Sequence, residues 1–247
     1  MTFIFARLFF IPALLIILAY LWHILKELID LSDLMFQIFV KAIVLFTALP
    51  FHEFAHAWVA NKLGDHTAAI NGRLTLNPLA HLDPIGAICM LLTGFGWARA
   101  VPINPRNFKN PKKGMALSAC AGPLANLLLA LVCLILYKIA YYSPLSSSSI
   151  GAAFCGVLLL MVHLNIGLGI FNLLPIPPLD GSRLATLFLP SKWYFKIMQY
   201  EQVIFLAVFV LLFTGVVSTP LSFLSNLVLT GLDFSTGFLD ILCRMIF

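Results

Sequence analysis

The sequence predicts an all-α polytopic membrane protein of about six transmembrane helices, with one short re-entrant or β-hairpin segment. Three observations carry that prediction. Of 247 residues, 61% are hydrophobic and 10% charged, against about 25% charged in soluble domains. Mean hydropathy is +1.00. Uncharged runs long enough to cross a hydrocarbon core of about 30 Å recur between short polar connections. The formal charge of +5 is small and scattered, which argues against nucleic acid as a partner and leaves Lys and Arg to orient loops in a lipid bilayer. Five cysteines, with no CxxC pair, read as buried small hydrophobes rather than a disulfide framework.

The first run, Leu8 to Leu25, lies between Arg7 and Lys26-Glu27 and ends Tyr20-Leu21-Trp22-His23. That ending has no A-x-A cleavage site, so the run reads as a retained anchor, and residues 1–33 as this anchor with an outer loop. A second span covers Leu34 to Asn61 and contains Pro50, which removes one backbone N–H and should kink the helix. After a polar stretch with turn signals, Pro84 to Ala98 is apolar but short and holds Gly94 and Gly96, a pattern that favours a re-entrant hairpin or strand pair over a helix. The connection Arg99 to Lys113 holds five basic residues and no acidic one, which places it in the cytoplasm. Gly114 to Tyr137 and Ile150 to Leu174 are the third and fourth spans. Basic residues Arg183, Lys192 and Lys196 place the following loop inside again, Gln202 to Val217 forms a fifth span, and the tail is a sixth span or an interfacial helix. Residues 34–182 thus form one unit and residues 183–247 a cytoplasmic loop with C-terminal helices. The N-terminus is cytoplasmic.

The second span carries His52-Glu53-Phe54-Ala55-His56. On a helix of 3.6 residues per turn the two imidazoles lie one above the other, able to share one Zn²⁺, with Glu53 beside them as a general base. By the topology above, this site opens to the cytoplasm. A hydrolytic zinc site wants a third protein ligand and an open position. Position 62 is Lys, so a third His at the metzincin spacing is excluded, and no Glu lies between the motif and Glu201. Aspartates remain. Asp180 follows Asn172-Leu173-Leu174-Pro175-Ile176-Pro177-Pro178-Leu179, where prolines forbid a helix and the backbone should be extended at the membrane boundary; a carboxylate there is costly and functional by default. Asp180 is the expected third ligand and Asp83 the second choice. Asn126 and Asn172 are candidates either for holding an oxyanion or for interhelical hydrogen bonds. His163 reads as a satisfied interior histidine, His81 and Asp83 as loop-ordering groups, Lys41 and His23 as snorkelling groups, and His66 as solvent-facing.

The pair His52-Glu53-x-x-His56 and Asn172-x-x-Pro175-x-Pro177-x-Leu179-Asp180-Gly181, with Ala121-Gly122-Pro123-Leu124-Ala125-Asn126 between them, resembles the site-2 protease family of intramembrane zinc metalloproteases. The similarity extends from Leu34 to Asp180. It implies a three-helix catalytic core, one zinc held by His52, His56 and Asp180, and Glu53 acting on water. It also implies cleavage of transmembrane segments of other proteins in a prokaryotic cell membrane. The chain is similar to the small branch of that family without a PDZ or CBS domain. Two other classes fit parts of the pattern: a divalent-metal transporter, which would spread ligands along a path, and a non-catalytic metal-binding scaffold, which has no use for Glu53.

Overall fold

A computed structural model describes residues 31–93, 96–185, 187–188, 199–215 and 217–247. The anchor expected at Leu8 to Leu25, with His23, lies outside them. In chain order the helices are α1 (Leu31–Lys62), α2 (Thr67–Ile70), α3 (Pro78–His81), α4 (Pro84–Thr93), α5 (Pro111–Tyr142), α6 (Ser149–Leu173), α7 (Asp180–Ala185), α8 (Glu201–Phe213), α9 (Ser218–Ser235) and α10 (Gly237–Ile246). No strand occurs among the described residues.

Helix starts follow local chemistry. Asn110 accepts from the Lys113 N–H with Pro111 in the first turn of α5, and Ser148 accepts from the Gly151 N–H at the start of α6. Pro175 then forbids continuation of α6 beyond Leu174.

Among the described residues, three helices are long and apolar enough to cross a membrane: 34–62 within α1, α5 and α6. The bent pair α9 and α10, which meet at 48°, adds a fourth if taken as one span. The expectation of about six spans is therefore met only in part. The fifth expected span is a helix of 13 residues, about 20 Å long and short of a 30 Å hydrocarbon core. Its continuation turns at Gly215 with φ of 76°.

α5 packs between α1 and α6. Their shared core holds Val44, Leu45 and Ala48 of α1, Ala130, Cys133 and Leu134 of α5, and Leu158, Val162 and Ile166 of α6. In lipid, tails compete equally for apolar side chains, so helices associate through close packing, which the small residues Ala48, Ala130 and Cys133 permit. All five cysteines are free.

The structure corrects three local expectations. Pro84 to Thr93 is helical because Asp83 caps it, its side chain accepting from the Gly86 N–H at 2.8 Å. The chain then doubles back: a Cβ on Gly96 would strike Gly86 and Met90, so residues 96 and 97 run backbone-to-backbone against α4. Residues 174–179 are bends and a turn rather than extended chain, closed by Ile176 N–H to Leu174 O at 2.8 Å and Leu179 N–H to Ile176 O at 2.9 Å. α1 runs as one continuous helix with Pro50 inside it. His163 is exposed rather than interior, although its Nδ1 is satisfied by the Leu159 carbonyl at 2.8 Å.

One unforeseen cluster ties down the C-terminal pair. Lys138 of α5, 4% exposed, meets Asp233 Oδ1 and Asp240 Oδ2, each at 2.7 Å. A buried ammonium in an apolar scaffold requires such partners.

Candidate metal centre

His52, Glu53 and His56 sit on α1, all buried. The one-turn spacing of the two histidines puts their ring Nε2 atoms 2.9 Å apart. Asp180, at the first position of α7, sets its Oδ2 3.2 Å from each of those nitrogens. Two imidazole nitrogens and one carboxylate oxygen thus converge on a single point, a set able to hold one metal ion. In a tetrahedral shell with bonds of about 2.0–2.1 Å, neighbouring donors are about 3.3 Å apart, close to what is seen. The donor set, two imidazoles and a carboxylate, suits zinc and leaves a fourth position for water.

Backbone close to the site orients these ligands. His56 Nδ1 lies 2.7 Å from the Ser118 carbonyl of α5. A carbonyl only accepts, so Nδ1 carries the proton and Nε2 presents its lone pair to the metal position. His52 Nδ1 is buried with no hydrogen-bond partner among the described residues.

Two glycines allow the assembly. A Cβ on Gly122 would lie 2.6 Å from His52 Cε1 and collide with the His56 ring, so only glycine lets α5 approach the imidazoles. A Cβ on Gly181 would run into the Leu173 and Leu174 carbonyls, so glycine after Asp180 lets α7 seat against the end of α6.

The site opens on a cavity of about 300 Å³ lined by His52, His56, Asp180 and Glu53, by residues 96–103 on one side, and by Phe171, Asn172, Leu179 and Arg183 on the other. Glu53 accepts the Val101 N–H through Oε2 at 2.9 Å. Of the two candidate asparagines, Asn172 lines the cavity and donates to its own helix at Leu168 O, 3.0 Å away. Asn126 is fully buried one turn beyond Gly122, with neither side-chain polar atom paired among the described residues, and it does not line the cavity. Asp83 caps α4, and His81 contacts the Thr75 carbonyl at 2.8 Å, so neither joins the ligand set. Lys41 reaches toward the Leu91 carbonyl at 3.5 Å, and His66 is exposed.

Outside the spans, Asp65 is wholly buried. Burial pushes its carboxyl upward, but hydrogen bonds from Thr67, Asn107 and the Asn104 N–H outweigh that and hold it below the ordinary carboxylate range.

Residues 40–215, most of the chain, match the profile of Peptidase family M50. The chain belongs to that family. It is 42% identical over 172 residues to YwhC of Bacillus subtilis, named provisionally as a zinc metalloprotease, covering 68% of this chain and 78% of that one. It is 33% identical over 139 residues to Rip2 of Mycolicibacterium smegmatis, also a provisional zinc metalloprotease, covering 54% of this chain and 51% of Rip2. A zinc metalloprotease of Methanocaldococcus jannaschii is 30% identical over 171 residues, 68% of this chain and 40% of that protein. No solved structure matches. Membership of the M50 family and the apolar helices make the chain a membrane protein of metalloprotease ancestry.

Proposed function

We propose that this M50 chain is an intramembrane zinc endopeptidase that hydrolyses peptide bonds within or near transmembrane segments of other membrane proteins, from a site open to the cytoplasm. The observation that carries this reading is the convergence of three ligand atoms beside a buried Glu53 that is not itself a ligand. A transporter or a scaffold has no use for that carboxylate.

His52 Nε2, His56 Nε2 and Asp180 Oδ2 would hold the ion. When bound, Zn²⁺ would lower the pKa of a water to about 7 and polarise a carbonyl. Glu53 takes one proton from the attacking water as its oxygen bonds to the scissile carbonyl carbon. It then delivers that proton to the amine nitrogen as the C–N bond breaks. Asn172, on the cavity wall, is the neutral donor placed to contact the substrate carbonyl. Asn126 is fully buried and does not line the cavity, so it takes no part in this reading. A helical substrate hides its peptide bonds, and pairing with the strand-free chain at residues 97–103 would expose them. The turn at residues 174–179 offers no comparable edge.

Comparison of membrane proteomes with wild type and Glu53→Gln tests the reading. Single-span proteins should accumulate only with the variant, which should bind zinc as wild type does. Identical proteomes, or zinc flux into liposomes carrying the purified chain, would remove the protease assignment.

A further inference from the structure

Residues 96–104 have no regular secondary structure, yet they cross the mouth of the metal centre and place one peptide N–H, that of Val101, on the Glu53 carboxylate. A chain without internal hydrogen bonding holds a position only if something outside it does the holding, and here the anchors are on both sides of Val101. Before it, the Arg99 N–H donates to the His81 carbonyl at 2.7 Å, while the Arg73 guanidinium donates to the Arg99 carbonyl and, at 3.4 Å, to the Ala100 carbonyl. After it, buried Asp65 accepts from the Asn104 N–H through Oδ2 and from Asn107 Nδ2 through Oδ1, both at 2.7 Å.

We propose that this strap is a built part of the catalytic apparatus, in which the Val101 N–H fixes the orientation of Glu53 and Arg73 and Asp65 are positioning residues that hold the strap in place. The inference rests on Glu53 being the general base. A glutamate side chain has three rotatable bonds, and it turns beside two imidazoles it must not ligate. One N–H on Oε2 stops that rotation and leaves the other oxygen for a water proton. Arg73 and Asp65 lie in the polar connection after α1, outside the candidate ligand group. Their placement explains why a loop outside the apolar scaffold carries a wholly buried carboxylate with several hydrogen bonds.

Four variants and one exchange measurement decide it, using the full chain in dodecyl maltoside with fluorescently labelled casein as the probe. Val101→Pro removes the N–H while a proline before Pro102 keeps the chain extended. It should lower kcat by about 10²-fold with KM and bound zinc unchanged, the loss expected for misplacing a catalytic group. Arg73→Met and Asp65→Asn should lower kcat about tenfold, and Arg73→Lys, which keeps one donor, should recover part of the loss. Amide exchange at Val101 should be slow in wild type and at least about tenfold faster in Glu53→Ala. An unchanged kcat in zinc-loaded Val101→Pro, or Val101 exchange indifferent to Glu53→Ala, overturns the proposal. A wild-type chain that leaves casein intact counts against the protease reading alone, since the exchange measurement judges the strap without turnover. If Val101→Pro fails to fold, the Arg73 and Asp65 variants and the exchange result stand in its place.

Discussion

α5 carries a buried polar cluster near each end, and the two are built on opposite plans. Around Lys138, one ammonium faces two carboxylates at 2.7 Å, so every charged group there meets an opposite charge within the protein. Around Gly122, about 24 Å away along the helix, three lone-pair donors point at one another across 2.9–3.2 Å. Donors facing donors are not self-sufficient; they call for a cation. A buried cluster that saturates itself secures a fold, whereas one whose atoms share a common lack is a site.

The largest effect should come from removing a donor at the second cluster. If a zinc site is worth about 10–16 kcal/mol, Asp180→Ala should cost about 5 kcal/mol, several thousandfold in zinc affinity, while the helices stay folded. Metal content after dialysis against a chelator series reads this directly, and affinity within tenfold of wild type would mean Asp180 is not a ligand. At the first cluster the outcome should reverse. Lys138→Met leaves two carboxylates, 62% and 32% exposed, without their cation and should destabilise the fold by about 1–3 kcal/mol with zinc affinity preserved. Adding Asp233→Asn and Asp240→Asn to it should restore most of the stability in a thermal or denaturant titration. Should the triple variant remain as unstable as the single one, charge balance is not what Lys138 supplies.

Gly122→Ala tests steric access. Its methyl should push α5 off the imidazoles, costing about 1–3 kcal/mol and weakening zinc binding, whereas an Ala at Gly167, where nothing lies within 4 Å, should do neither. The smallest effect concerns Asp65. Its folded carboxyl titrates below its unfolded value of about 3.9, so its contribution is fully present above that pH and fades as pH drops through the lower folded value. Melting curves from pH 7 down to pH 3 should show that loss in wild type and not in Asp65→Asn; parallel curves would show that the hydrogen bonds are not selective for the charged carboxylate.

Much of the centre was legible because its signals are local. A one-turn His spacing needs only helix geometry, and the prolines before Asp180 announce an interruption wherever they fold. The form of that interruption was not legible: extended chain and turn both satisfy a proline-rich run, and the choice was made by the Ile176 and Leu179 N–H bonds. The sequence marks Asp83 as loop-ordering but not as the cap of α4, because glycines near the end of a short apolar run weigh toward a hairpin until a cap is recognised. It does not place His163, because a polar residue on an apolar helix tells nothing of which face its neighbours cover.

By itself, the sequence determined that apolar helices alternate with polar connections and that two imidazoles stack on one of them, since both depend on residues within a turn or two of each other. Only the tertiary structure decided that Asp180 comes within 3.2 Å of both imidazoles, that Gly122 makes room for those rings, and that Asp65 and Arg73 reach the strap beside Glu53. Those contacts join residues tens of positions apart, and distance along the chain carries no record of which backbone edges will meet once the helices pack.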